Sequence, residues 1–112
     1  MSAKPLILMA TELESRLVSP VAEAVGIPVL VTGIGMINTA MVLSRHLSRG
    51  EEKPSTIIHL GIGGYRGDAD LMGRAVIAQS EWFADSGVID LGGQHGFQEI
   101  GIPMRNAEPA IY

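Results

Sequence analysis

"KPLILMATELESRLVSPVAEAVGIPVLVTG", residues 4–33, contains two short apolar runs on either side of an amphipathic segment. Continuous apolar runs of this length are typical of strands that are covered on both faces. The segment between them has Thr11 as a helix N-cap, Glu14 three residues later as in a capping box, and Gly26 in the place that follows a helix end. Pro20 lies inside it, so we expect a helix that breaks or restarts there. The stretch therefore predicts a β-α-β unit.

The same alternation continues along the chain. "GMINTAMVLSRHLSRG" has helical periodicity, with apolar positions at Ile37, Met41, Leu43 and Leu47 and with Gly50 at its end. "TIIHLG" is a third apolar run. Three apolar strands alternating with two helices predict an α/β fold with a mixed, mainly parallel central sheet flanked by helices.

The pattern changes after Gly73. "RAVIAQSEWFADSGVIDLGG" contains two β-rich stretches with no helix between them, which predicts later strands that extend or curl the sheet. The last residues, "GIPMRNAEPAIY", have the composition of a loop. At 112 residues the chain is expected to form one domain.

Charge and cysteine content exclude several classes of protein. Twelve acidic and eight basic residues give a net charge of -4, so no basic face is expected for a nucleic acid. The absence of cysteine excludes disulfides and thiolate ligands or nucleophiles, and it favours a cytoplasmic location. "PLILMA" is too short to span a membrane. His46, His59 and His95 lack ligand spacing, so we expect no metal site, and the apolar neighbours of His59 predict a core histidine.

Ligands of open α/β sheets bind beside the carboxyl ends of the strands. Here three loops follow strands, at residues 10–14, 32–38 and 61–65, and we expect them on one rim. The rim offers carboxylates, bare backbone and few cations, which suits a neutral, polar, flat ligand. Glu12 and Glu14 are two residues apart on a helix, so at most one of them faces a given pocket. A structural role is the alternative for Glu14, as the last residue of the capping box.

The second loop carries Gly33-x-Gly35, which nearly matches a dinucleotide-binding fingerprint. Asn38 stands where the third glycine belongs, and the pattern follows the second strand instead of the first. A nicotinamide cofactor is therefore disfavoured, and no cofactor is predicted.

Four blocks of the chain resemble the nucleoside phosphorylase superfamily, specifically futalosine hydrolase and the related methylthioadenosine/adenosylhomocysteine nucleosidases. They are "ILMATELE", "VTGIGMINTA", "IIHLGIGGYRGDADLMGRAVIAQSEWFADSG" and "FQEIGIP", in that order. The third block is the most specific, because it combines the glycine loop, Gly73-Arg74 and "SEWFAD". The resemblance implies a nucleoside phosphorylase-like fold and a purine nucleoside as substrate, most closely futalosine, an intermediate of menaquinone biosynthesis.

The resemblance also implies roles for individual residues. Glu14 takes the place of the carboxylate that positions the water attacking the anomeric carbon of the ribose. The glycine-arginine loop with which phosphorylases hold phosphate is not found in residues 10–19, so hydrolysis is favoured over phosphorolysis. Ile62 resembles the futalosine type, since the methylthioadenosine type has serine there, and Gly63 replaces the usual alanine. The implied substrate-binding residues are Ala10, Thr11, Gly35, Ile62, Gly63 and Gly64.

Members of the resembled family are about twice as long as this chain. Their second halves carry a ribose-binding Met-Glu segment and the aspartate that protonates the leaving purine. The chain is therefore expected to correspond to an N-terminal half that is inactive alone. A non-catalytic nucleoside-binding or assembly module remains the alternative.

The apolar content of the chain, 46%, is high for one small domain. An uncovered apolar strand edge pairs readily with another chain. We therefore expect a homo-oligomer, a dimer by the resemblance, that buries the strand edge or the face around Ile57, Ile58 and Val76.

Overall fold

The computed structural model describes residues 3–50, 52–67, 69–81 and 87–96. These residues belong to two compact units, which divide after Gly64. The first unit is an α/β structure in which three strands alternate with two helices, as the sequence predicts. Its elements are β1 (Leu6–Met9), α1 (Glu12–Ala24), β2 (Val29–Val31), α2 (Met36–Arg49) and β3 (Ile57–His59).

The three strands form a parallel sheet in the order β2-β1-β3. Ile7 of β1 is in register with Val29 on one side and with Ile58 on the other. The chain thus crosses from β1 to β2 through α1 and returns past β1 to β3 through α2. Right-handed crossovers, which nearly all such units have, place α1 and α2 on opposite faces of the sheet.

The core of this unit lies on both faces of β1, all four residues of which are buried. Ile7 and Met9 point to one face and form a cluster with Ala22 of α1, against which Val18 also packs. Leu6 and Leu8 point to the other face and are 1% and 2% exposed. The central strand is therefore covered on both sides, as its continuous apolar run indicates.

Helix α1 begins as the sequence predicts but continues through its proline. Thr11 is the N-cap, with extended backbone, and its side chain accepts the backbone N–H of Glu14. The predicted break at Pro20 is wrong, because a single helix runs to Ala24. Val18 and Ala22 anchor it to the sheet on both sides of Pro20, and this packing offsets the loss of one backbone hydrogen bond.

The carboxyl end of α1 is a Schellman motif. Gly26 adopts a left-handed conformation with φ of +68°, and its N–H donates to the Glu23 carbonyl at 3.0 Å. The N–H of Ile27 donates to the Ala22 carbonyl at 2.8 Å, and Ile27 packs against the cluster that contains Ala22. This is the hydrogen-bond and apolar pairing of the motif, so Gly26 ends the helix as predicted.

Helix α2 has the predicted position and ends at Gly50, but only part of its predicted apolar face is covered. Ile37 and Met41 are 77% and 57% exposed, so the prediction is wrong for them. Leu43 and Leu47 are half-buried as predicted, and Thr39 and Val42 are half-buried with them. Residues 39, 42, 43 and 47 recur at helical spacing, so they form the inward stripe.

Strand β3 lies at an edge of the sheet, and its three residues are exposed. The prediction that His59 is a core histidine is therefore wrong. An apolar sequence does not distinguish a central strand from an edge strand. Here β3 is the last strand of the described sheet.

The second unit contains a short 3-10 turn, Ala69–Leu71, and an antiparallel hairpin of β4 (Gly87–Asp90) and β5 (Gly93–Gly96). The hairpin forms its own two-stranded sheet, so the prediction that later strands extend the first sheet is wrong for the described residues. Residues 74–81 have no regular structure where a strand was predicted. Residues 82–86, in "SEWFADSG", and the whole of "FQEIGIP" and "GIPMRNAEPAIY" lie outside the described residues, and the one-domain expectation stays a prediction.

In the part of the chain that the structure describes, neither helix has the length and apolar composition needed to cross a membrane.

Candidate functional site

The candidate site lies where β1 and β3 end. These strands are parallel neighbours. Right-handed crossovers would place the helix that precedes β3 and the helix that follows β1 on opposite faces of the sheet. Strand order 2-1-3 is that of the flavodoxin-like sheets, in which ligands bind at the switch point between the first and third strands. Residues 10–14 and 61–64, from two of the three loops of the predicted rim, follow these two strands. The third loop, residues 32–38, follows β2.

Glu14 is held by Thr11 through two hydrogen bonds at the amino end of α1. The Thr11 hydroxyl accepts the backbone N–H of Glu14 at 3.2 Å and donates to Oε2 of the Glu14 carboxylate at 2.8 Å. Both side chains are half-buried. Glu14 lies in the first turn of α1, where acidic side chains commonly occur.

The other carboxylate oxygen of Glu14 faces the end of β3. A Cβ placed on Gly61 would lie 3.7 Å from Oε1 of Glu14, which is ordinary van der Waals contact. The carboxylate therefore lies beside Gly61, the first residue of the glycine loop, with Oε2 bound by Thr11 and Oε1 on the side of Gly61. The structure thus brings together Thr11, Glu14 and the start of the loop at residues 61–64.

The remainder of the loop is open. Ile62 is 92% exposed. Apart from the adjacent residues in the chain, no described residue has an atom within 4 Å of a Cβ placed on Gly63 or Gly64, and neither glycine has a positive φ. Neither the backbone conformation nor contact within the described chain therefore requires glycine at these two positions.

The loop after β2 forms the other side of the rim, next to Ala10. The backbone N–H of Thr32 donates to the Met9 carbonyl at 2.9 Å, and the buried Thr32 hydroxyl lies 3.3 Å from that of Thr39. Gly35, with φ of +91°, is the N-cap of α2, and its carbonyl accepts the Thr39 hydroxyl at 3.0 Å. This loop is thus fixed to the end of β1, while Gly35 itself is exposed.

Glu12 turns away from Glu14 and toward the helix. The Ser15 hydroxyl donates to the Glu12 carbonyl at 2.9 Å and lies 3.4 Å from Oε2 of Glu12. Ser15 is buried, and Glu12 is exposed. Of the two carboxylates in the first turn of α1, Glu14 is the one directed at the glycine loop.

A separate cavity of about 230 Å³ opens at the other end of the strands, away from the candidate site. It lies beside the amino end of β1 and includes Lys4, His46 and Lys53. The Lys53 ammonium donates to the Leu47 carbonyl. Parallel sheets bind ligands at the carboxyl ends of their strands, so this cavity is not the candidate site. Among the described residues no three side chains of histidine, aspartate or glutamate are grouped as metal ligands would be.

The sequence predicts Thr11 as a helix cap, but the bond of its hydroxyl to the Glu14 side chain is seen only in the structure. In a capping box the glutamate carboxylate reaches back to the N-cap backbone N–H, whereas here it accepts the N-cap hydroxyl. The Thr-x-x-Glu spacing is the signal from which a contact between the two side chains could have been expected. The hydroxyl contact between Thr32 and Thr39 had no comparable signal.

Within the described residues, these features define an open α/β unit in which the Glu14 carboxylate and the start of a glycine loop lie together at the carboxyl ends of β1 and β3. No family model, no curated protein and no solved structure matches this chain.

Proposed function

We propose that this protein is a nucleosidase that hydrolyses the N-glycosidic bond of a purine nucleoside, with futalosine as its substrate. We also propose that its first unit is part of a nucleoside phosphorylase-like fold. The observation that carries the proposal is the position of Glu14, whose carboxylate is fixed by Thr11 and directed at Gly61. Methylthioadenosine or adenosylhomocysteine is the alternative substrate.

The chemistry of this reaction needs a carboxylate where charge develops. As the bond between the anomeric carbon and the purine nitrogen breaks, the sugar becomes cationic, and an ionised carboxylate stabilises it. Water bonds to the anomeric carbon and gives one proton to Glu14. The electron pair of the broken carbon–nitrogen bond leaves with the purine, which takes up one proton from the solvent, and Glu14 returns its proton to the solvent. Glu14 supplies the base, and we assign no described residue to the acid.

The open glycine loop supports the same proposal. Ile62 offers an exposed apolar side chain, and the residues after it leave free space beside the backbone. A flat purine ring is a ligand that uses both features, because it packs on an apolar side chain and lies against bare peptide.

The experiment that tests the proposal is base release by the full-length product of the gene that encodes these residues. Futalosine and methylthioadenosine are supplied separately, and the free purine is measured by chromatography. We expect release from futalosine, without added phosphate. No release from either nucleoside, with tight binding of the purine measured by calorimetry, would instead favour the non-catalytic binding module.

Gly64→Ala is expected to weaken nucleoside binding without destabilising the fold. The added methyl group meets no described atom, and exposed substitutions of this kind change stability by at most about 0.5 kcal/mol. If the ligand lies against this backbone, the methyl group displaces it, and affinity should fall about tenfold or more. Affinity is measured by calorimetry and stability by thermal melting.

The matched control is Gly63→Ala. The resembled family has alanine at that place, so the control should bind almost as well as the unchanged protein. Equal affinities for all three proteins would show that the ligand does not lie against the loop.

We also propose that the protein is a homo-oligomer whose contact includes the free edge of β3. Ile57 and Ile58 are 36% and 40% exposed. The carbonyl of Thr56 accepts a hydrogen bond from β1, and the N–H of Leu60 donates one to β1. Because backbone groups alternate in direction along a strand, the N–H groups of Ile57 and His59 point to the outer edge. Such an edge is a template for a second copy.

Ile57→Pro is expected to shift the oligomer toward monomer, because proline removes an outward N–H and leaves the bonds to β1 in place. Sedimentation velocity at micromolar concentration measures the shift. Leu17→Ala, on the exposed face of α1, is the control and should leave the distribution unchanged. A monomeric unchanged protein would refute the proposal.

A further inference from the structure

The Thr11 hydroxyl makes one more bond than helix capping requires. An N-cap needs only a side-chain oxygen that accepts an N–H of the first turn, and Thr11 does this for the Glu14 backbone at 3.2 Å. Its hydroxyl proton is then available, and it is donated to Oε2 of the Glu14 carboxylate at 2.8 Å. One hydroxyl thus holds both the backbone and the side chain of Glu14.

The second bond fixes the direction of the carboxylate. A glutamate side chain has three rotatable bonds and loses much rotamer freedom when it is ordered. With Oε2 bound by Thr11, Oε1 is left facing Gly61. A carboxylate that must accept a proton from a water has to be held in that direction before the water arrives.

We propose that Thr11 is a positioning residue that orients Glu14 toward the glycine loop. This inference rests on the proposed function, in which Glu14 is the base. It gives Thr11 a role distinct from the substrate-binding one implied by the family resemblance, since the one proton of its hydroxyl is donated to Glu14.

Three substitutions separate orientation from capping. Thr11→Ser keeps both hydrogen bonds. Thr11→Asp keeps an oxygen that caps the helix but has no proton to donate when ionised. Thr11→Gly also preserves most of the capping stability, adds no charge and removes the donor. Thermal melting should therefore be similar for all three, and only the serine variant should retain the oriented carboxylate.

The kinetic readout is the split between kcat and KM for the nucleoside. Hydrogen bonds to charged groups contribute enough that kcat should fall about 10- to 100-fold in Thr11→Asp and Thr11→Gly. KM should change little, because Thr11 acts through Glu14 and not on the substrate. Thr11→Ser should restore kcat. A raised KM with unchanged kcat would overturn the proposal in favour of substrate binding.

A second readout needs no turnover. Three-bond NMR couplings across the Glu14 side chain, measured on the full-length protein without ligand, report whether it occupies one rotamer. We expect one rotamer in the unchanged protein and in Thr11→Ser, and averaged couplings in the other two variants. Averaged couplings in the unchanged protein would overturn the proposal.

The two readouts distinguish this inference from the proposed function. A protein that releases no base but shows the expected couplings would refute the nucleosidase and support the orientation of Glu14 by Thr11. A protein that releases base at the same kcat with and without the Thr11 hydroxyl would support the nucleosidase and refute the role of Thr11.

Discussion

Glu14→Gln should lower nucleoside turnover by about 10²–10⁴-fold, the usual contribution of a general base. The amide has the shape of the carboxylate but neither its charge nor its basicity, so affinity for the free purine should remain nearly the same. Rates are measured in single-turnover experiments with the full-length protein, and purine affinity is measured by calorimetry.

Glu12→Gln is the matched control, because Glu12 lies in the same helical turn but is directed toward Ser15. It should keep a near-normal rate. A normal rate for Glu14→Gln together with a slow Glu12→Gln would transfer the role to Glu12. Normal rates in both would place the base outside this loop.

Leu8→Ala should reduce the free energy of unfolding by about 2–5 kcal/mol, the usual cost of deleting a buried leucine side chain. Leu8 is 2% exposed on the central strand, and both neighbouring strands pair with it. Because small domains are stable by only about 5–15 kcal/mol, this loss should be visible as a large shift of the urea midpoint.

Leu17→Ala makes the same chemical change at a residue that is 84% exposed on α1. Its effect should stay within about 0.5 kcal/mol. If the two variants lost similar stability, α1 would have to be covered on its outer face and the burial of β1 would not dominate the stability of the unit.

Features that depend on nearby residues were predictable from the sequence. The caps at Thr11 and Gly26 follow from side-chain and backbone chemistry within one turn, and the structure confirms both. The alternation of strands and helices follows from apolar runs and periodicity. The position of Glu14 at the rim then follows from the rule that ligand loops come after parallel strands.

Features that depend on distant neighbours were not predictable. Pro20 remains helical because Val18 and Ala22 pack on the sheet, which the local sequence does not indicate. His59 is exposed because β3 is an edge strand. The strand order determines which strands lie at the edges of the sheet. It depends on which strands pair with one another, so no single run of residues predicts it.

In the candidate site, too, some features were predictable from nearby residues and others were not. The Thr-x-x-Glu spacing places two side chains on one turn, but the choice of the hydroxyl instead of the backbone N–H as the donor to Glu14 depends on side-chain geometry. That Gly63 and Gly64 have free space beside them could be learned only from the fold.

Backbone NMR of the protein during titration with futalosine tests the central claim most directly. We expect the largest amide shift changes at residues 11–14 and 61–64, at the carboxyl ends of β1 and β3. We expect small changes at Glu52 and Lys53, which line the cavity at the amino end of β1. Changes concentrated at Glu52 and Lys53, or no changes at saturating nucleoside, would contradict the proposed site.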